Sequence, residues 1–366
     1  MTQPQDSPRP AATAGSPDDV LPGVLVGHDT DQRRPTGVTV VLLPEGTTAG
    51  VDVRGAAPGT RETDLLDPVN TIEEAHAFVL AGGSAFGLAA ADGVMGWLAE
   101  RGRGVPVGPA VVPIVPGAVL FDLLVGDPSV RPDAAAGRRA CDAAVALARA
   151  TTGSVGAGAG ATVGKLLGPD RAMRGGLGIA VVAAGGITMA AVIAVNAVGD
   201  IVDPGSGSLL AGARQAPDSL ELADAVRTWL AMAPPSGAAP SGAAPSGGAP
   251  SGAAPSGGAP AGGATTIGAL VTDARLTKAQ ATRLAQVAHD GLARTIRPVH
   301  TPLDGDTLFV AGTGTAANDA RGGPDMLLLS MLAAEAAAVA VLAGVRAAAP
   351  GLRIDGQWLP AWADLR

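Results

Sequence analysis

Tyrosine is absent from this 366-residue chain, and aromatic residues make up only 2% of it. That leaves no aromatic platform on which nucleic-acid bases could stack. Basic runs are missing too, and the net charge is −8, so no nucleic-acid partner is expected. Cys141 is the only cysteine, which excludes an internal disulfide and any cysteine metal cluster. His28, His76, His289 and His300 are scattered without ligand spacing, and no metal or cofactor is expected. Residues 1–20 are polar and Pro-rich without an apolar h-region. They read as a disordered tail, not a signal peptide, and a cytoplasmic location is expected. Long uninterrupted apolar runs are also scarce. Residues 179–198 are broken by Gly185-Gly186 and fit two strands around a tight turn. Residues 326–349 are Ala-rich but carry Glu335 and Arg346, as a buried globular helix does. No membrane partner is expected.

Small apolar residues are abundant. Apolar residues amount to 47%, ample for a sizeable core built mainly of Ala and Val. Residues 23–28 and 37–43 read as an early hairpin, with further strands near residues 49–54 and 77–81. Helices are expected to residue 101 after Gly82-Gly83-Ser84, and over residues 133–150, 219–232, 277–293 and 326–347. Residues 153–164 form a Gly/Ala loop, and strands are expected over residues 266–271 and 307–311. Strands and helices come in blocks instead of strict alternation, which predicts an α+β fold with helices flanking mainly antiparallel sheets.

Residues 233–264 hold a low-complexity Pro/Ser/Gly/Ala run with a rough five-residue period. Such a tract cannot bury enough apolar surface to offset its ordering entropy and is expected to be a mobile tether. It stops where Thr265-Thr266-Ile267 opens an apolar strand. A hydroxyl residue at the mouth of a strand, just after a cleavable tether, is where a self-processing hydrolase holds its nucleophile. Cutting the Ala264-Thr265 bond would free an α-amine able to serve as base for the hydroxyl of the same residue. Thr is also a good strand former, so Thr265 could simply begin the strand. Thr266 should face the opposite side of the sheet.

Three further residues are candidates. Asn196 ends a strand before a Gly-containing turn, where its amide could donate to an oxyanion or cap the turn. Asp304-Gly305-Asp306 precedes residues 307–311. Two carboxylates two apart could orient an amine and a hydroxyl and shift each other's pKa, or form an ordinary Asp-Gly turn. The glycines of Gly82-Gly83-Ser84 and residues 156–160 match no phosphate-binding fingerprint and read as close backbone packing. Lys165 and Arg174 read as solvated charges.

Together these segments resemble the L-aminopeptidase/D-esterase family, which includes the β-peptidyl aminopeptidases. The resemblance runs from Gly23 to about Thr313. It is carried by Gly23-Val24-Leu25-Val26-Gly27-His28, by Gly82-Gly83-Ser84-Ala85-Phe86-Gly87-Leu88 with Ala91-Asp92-Gly93-Val94, by Val155-Gly156-Ala157-Gly158 and Gly175-Gly176-Leu177-Gly178, and by Thr265-Thr266-Ile267 through Val271-Thr272-Asp273-Ala274. The resemblance implies a four-layer αββα sandwich and a precursor that cuts itself once, leaving residues 21–232 and 265–366 as two chains of a single catalytic domain. It implies Thr265 as nucleophile, Asn196 as oxyanion donor, and Asp304 and Asp306 in place of a Ser-x-Glu pair. Asp304 stands where that pair has Ser, and the chain lacks a Tyr that some members use at the oxyanion site. An Ala-Thr junction is similar to that of the related ornithine acetyltransferases. The expected substrate is a small peptide or amino-acid amide, and the expected assembly a homo-oligomer of processed pairs. An acyltransferase, or an uncut binding protein in which Thr265 only starts a strand, remains open at this point.

Overall fold

The computed structural model describes residues 20–31, 33–232, 263–316 and 325–366. The expected tail (except residue 20) and the expected linker (except Gly263 and Ala264) lie outside them. The chain begins with strands β1 (Leu25–Asp31), β2 (Thr36–Leu42), β3 (Thr48–Val53), β4 (Thr60–Arg61) and β5 (Ala77–Ala81). Helix α1 (Ala90–Ala99), strand β6 (Gly117–Val119), helix α2 (Ala134–Asp142) and strand β7 (Val145–Ala146) follow. Then come strands β8 (Gly176–Ala184) and β9 (Ile187–Val195) and helix α3 (Ala225–Met232). Strand β10 (Ile267–Thr272), helix α4 (Lys278–Thr295), strand β11 (Thr307–Gly312) and helix α5 (Met326–Ala347) complete the main framework.

Two sheets form. One runs β4-β6-β5-β2-β1-β7 and the other β8-β9-β10-β11-β3. Most pairings are antiparallel, as expected; β5 with β6 and β10 with β11 are parallel. The sheets face each other across a core in which Val26, Val41 and Leu80 meet Val192, Ile267 and Phe309. Phe78 stacks on Phe309 across this layer at 4.9 Å. Helices α1 and α2 cover the outer face of the first sheet through Val94, Leu98 and Ala140. Helices α4 and α5 cover the second through Leu284, Leu292, Leu329 and Ala336. Because both of its faces are covered, β2 (TGVTVVL) is buried throughout. The architecture is the expected α+β, four-layer αββα sandwich.

Helix α5 starts and stops where expected. The Asp325 carboxylate accepts the Leu327 and Leu328 N–H groups at 3.0 and 3.1 Å, satisfying donors left over at the helix start. Two expected helices are shorter. The stretch 133–150 stays helical only to Asp142, because Val145 and Ala146 pair with the open edge of β1. The stretch 219–232 becomes helical only at Ala225. Leu222 bridges to Arg214, and the Asp200 carboxylate captures the Ala225 N–H at 2.7 Å. In both stretches a tertiary partner overrides the local preference.

Candidate active site

The sheet order brings the end of β9 beside the starts of β10 and β11. Asn196 follows β9, Thr265 and Thr266 precede β10, and Asp304-Gly305-Asp306 precede β11. The candidate catalytic residues Thr265, Asn196, Asp304 and Asp306 therefore meet at one end of one sheet. The Thr265 N–H donates to the Asn196 carbonyl at 2.7 Å, and the Gly305 N–H to the Ala264 carbonyl at 3.1 Å. The Thr265 hydroxyl lies on that same Ala264 oxygen at 2.5 Å. Thr266 donates its N–H to Asp306 Oδ1 at 2.6 Å, while its own hydroxyl is buried without a partner among the described residues. Thr265 and Ala264 are both buried, at 4% and 1% exposure. The atoms at this junction are thus held by the protein, not by solvent.

The two carboxylates differ in their surroundings. Asp304 Oδ2 accepts the Thr301 hydroxyl at 2.7 Å and the Thr301 N–H at 2.8 Å. Burial, and then the neighbouring Asp306, push the Asp304 carboxyl above its usual pKa. Asp306 Oδ2 instead accepts His300 Nδ1 at 2.7 Å. Gly305 between them has no room for a side chain: a Cβ would lie 2.4 Å from the Ala57 carbonyl and 3.0 Å from the Thr265 hydroxyl.

Asn196 is wholly buried. Its amide nitrogen donates to the Phe121 carbonyl at 2.9 Å and the Gly263 carbonyl at 3.4 Å. Its oxygen accepts the Thr162 N–H at 2.9 Å and Lys165 Nζ at 2.8 Å. The amide therefore reaches the carbonyl one residue before Ala264, whereas the Ala264 oxygen is held by Gly305 and Thr265. Asp122, next to Phe121, is fixed in turn by Thr36 at 2.6 Å, the Gly83 N–H at 2.8 Å and Arg34 at 3.0 Å. A Cβ on Gly82 would sit 2.3 Å from the Asp122 carboxylate. The Gly82-Gly83-Ser84 turn is thus close packing, as read from the sequence, and it packs around the support of Asn196.

Lys165 corrects the sequence reading. It is not a solvated charge: Nζ donates to Asn196 Oδ1, and at 3.1 Å each to the Asn196 and Gly263 carbonyls. Burial pulls its pKa down to about 7, against the attraction of Asp304, Asp122 and Asp306. Arg174 is likewise buried and donates to the Ala349 and Ala159 carbonyls at 3.2 and 3.4 Å. The sequence held one hint for Lys165, a lone cation between Val163-Gly164 and Leu166-Leu167. Gly305 and His300 gave none, because their roles come from partners distant along the chain. Lys165, Gly263, Phe121 and Thr162 line a cavity of about 20 Å³ beside the junction. Among the described residues no three His, Cys, Asp or Glu side chains converge as metal ligands do.

Known proteins share this arrangement of chain. The sequence profile of peptidase family S58 matches residues 18–357. A Mycobacterium bovis protein named as an uncharacterized aminopeptidase is 45% identical over 346 residues, covering 90% of this chain and 93% of its own. A 6-aminohexanoate-oligomer endohydrolase of Kocuria sp. is 32% identical over 296 residues, covering 80% and 74%. Among solved structures, the L-aminopeptidase D-Ala-esterase/amidase of Ochrobactrum anthropi, described as a variant of the Ntn hydrolase fold, superposes with a TM-score of 0.66 at 19% identity, covering 96% of this chain and 92% of its own. A Burkholderia sp. β-aminopeptidase does so with 0.61 at 22% identity, covering 94% and 90%. At these identities the likeness to the two solved structures is one of fold. The match along almost the whole chain places this protein in peptidase family S58, as an aminopeptidase-type hydrolase acting on peptide bonds.

Proposed function

We propose that the chain cuts itself between Ala264 and Thr265, and that the freed Thr265 then hydrolyses the amide of an N-terminal residue. One observation carries the reading: the Thr265 hydroxyl and the Gly305 N–H converge on the carbonyl oxygen of Ala264. In the first step Thr265 Oγ attacks the Ala264 carbonyl carbon. The Ala264-Thr265 C–N bond breaks, the hydroxyl proton passes to the Thr265 nitrogen, and water hydrolyses the resulting ester. The Gly305 N–H supports the oxygen on which negative charge develops.

Thr265 then carries both a nucleophile and a base. Its amine takes the hydroxyl proton as Oγ attacks a substrate amide, and water releases the acyl group. Asn196, with its amide one carbonyl away, turns to the substrate oxyanion once the residues before the cut withdraw. Asp306, with Asp304 beside it, holds the main chain through the Thr266 N–H and balances the Thr265 ammonium. The chemistry calls for no metal or cofactor. The expected substrates are small peptides or amino-acid amides. Residues 21–232 and 265–366 act as two chains of one catalytic domain, in a cytoplasmic homo-oligomer of processed pairs.

Intact-mass analysis and N-terminal sequencing test the proposal. The parent protein should give two chains, the second starting at Thr265. Thr265→Ala should stay whole and inactive on L-alanine p-nitroanilide, and Thr265→Ser should keep some cutting. An uncut parent that still hydrolyses amides would sink the mechanism. Product analysis with an added amine acceptor separates a hydrolase from an acyltransferase.

A further inference from the structure

Behind Asp306 lies a pair of histidines that the chemistry above leaves unused. His300 Nδ1 is 2.7 Å from Asp306 Oδ2, and the His300 main-chain N–H reaches the same oxygen at 3.3 Å. A carboxylate only accepts, so Nδ1 carries the proton of this imidazole. Among the described residues no other side chain donates to Asp306. His300 has φ +54°, a left-handed conformation uncommon outside glycine. That conformation turns both of its donors onto one oxygen. Asp306 itself is 1% exposed, and a carboxylate so buried is tolerated only when its lone pairs are bonded.

The imidazole is held from its other side. His289, on α4 and wholly buried, meets the His300 ring edge to face at 4.8 Å. Its Nε2 lies 3.2 Å from the Asp52 carbonyl on β3. Burial, and then His300, keep His289 well below its usual pKa, so it stands as a neutral wall. Meanwhile Arg54 and Gly55, just beyond β3, donate their N–H groups to the Asp306 carbonyl at 2.9 and 3.1 Å. The main chain of Asp306 is thus pinned by one segment and its side chain by another.

We propose that His300 is a positioning residue: by clamping Asp306 Oδ2 it keeps Oδ1 on the Thr266 N–H and so fixes the main chain that aims the Thr265 hydroxyl. This rests on the reading of Thr265 as the nucleophile. Without the Nδ1 donor, Oδ2 keeps only the longer main-chain bond at 3.3 Å, and the Asp306 side chain is freer to rotate away from Thr266. A shift of about 1 Å at a reacting group costs on the order of a hundredfold in rate.

The test compares two replacements of opposite character, with self-cutting of the full chain followed over time in a cell-free translation reaction. His300→Asn keeps a side-chain N–H near the position of Nδ1 but loses the ring. His300→Phe keeps the ring volume and loses the donor. The proposal expects His300→Asn to cut within about threefold of the parent rate and His300→Phe to cut about 10- to 100-fold more slowly. The reverse ranking would assign the ring to packing alone and overturn the proposal, as would two variants that both cut like the parent. A Thr265→Ala chain that is still cut at Ala264, or a parent that is never cut, overturns the nucleophile reading and this inference with it. A Thr265→Ala chain left whole beside a rapidly cut His300→Phe chain overturns the role of His300 alone.

Discussion

Lys165 shows how much of this site depends on burial. Before any cut the Thr265 nitrogen is an amide, which gains a proton only as the C–N bond breaks, so the attacking hydroxyl needs a base from elsewhere to relay its proton. Lys165 lies on Asn196 and Gly263 with its pKa pulled down to about 7. Its neutral fraction therefore rises as pH is raised through about 7, whereas an exposed lysine stays charged until well above that. The rate of self-cutting should climb across this range and level off above it. Lys165→Arg, which keeps a permanent charge, should cut slowly with no such rise. Rates measured from pH 5.5 to 9 in the cell-free reaction decide it, and an unchanged climb in Lys165→Arg would remove Lys165 from the step. The contrast with Thr265, Asn196, Asp304 and Asp306 is instructive. Strand ends and turns marked by glycine or a tether single those four out as candidates, the resemblance to the family assigns them roles, and the sheet order brings them together. Lys165 and His300 became visible only once chain segments far apart in sequence had closed around them.

At the level of elements, the small residues that dominate the composition are what let the layers approach. A Cβ on Gly178 of β8 would lie 1.8 Å from the Ala340 carbonyl and 2.6 Å from the Gly344 nitrogen, both on α5. Backbone therefore meets backbone where this helix crosses the edge strand, and no flexible side chain can give way. Gly178→Ala should destabilise the protein by about 1–3 kcal/mol, the usual range for overpacking. A urea midpoint equal to that of the parent would show that α5 can slide on the sheet. This close crossing lies within a stretch whose elements the sequence located well: α5 over Met326–Ala347, and the hairpin of β8 and β9 around Gly185-Gly186. Periodicity and turn glycines are local signals, and these elements obey them. The helices within 133–150 and 219–232 are shorter than the sequence pattern predicts, since Val145 answers to the edge of β1 and Ala225 to the carboxylate of Asp200. Neither partner is local.

For the whole molecule, the order of the second sheet determines what a single cut can do. Strands β10 and β11, from after the junction, lie between β9 on one side and β3 on the other, both from before it. Each seam carries six paired positions, Met189 to Ala194 against Thr272 to Ile267 and Thr48 to Val53 against Gly312 to Thr307. Helices α4 and α5 seal the outer face of this mixed sheet, and the inner face is buried against the first sheet. Breaking the Ala264-Thr265 bond removes no seam and uncovers no core. The two chains should therefore elute as one species from size exclusion in native buffer, run as two bands on a denaturing gel, and separate only across the same urea transition that melts the secondary structure. Dissociation below that transition would mean that the interleaved strands are held by the covalent link instead of by their pairing. In that event the geometry at Thr265 could not outlast the cut that frees its amine, and turnover by the processed protein would have to end with the first event.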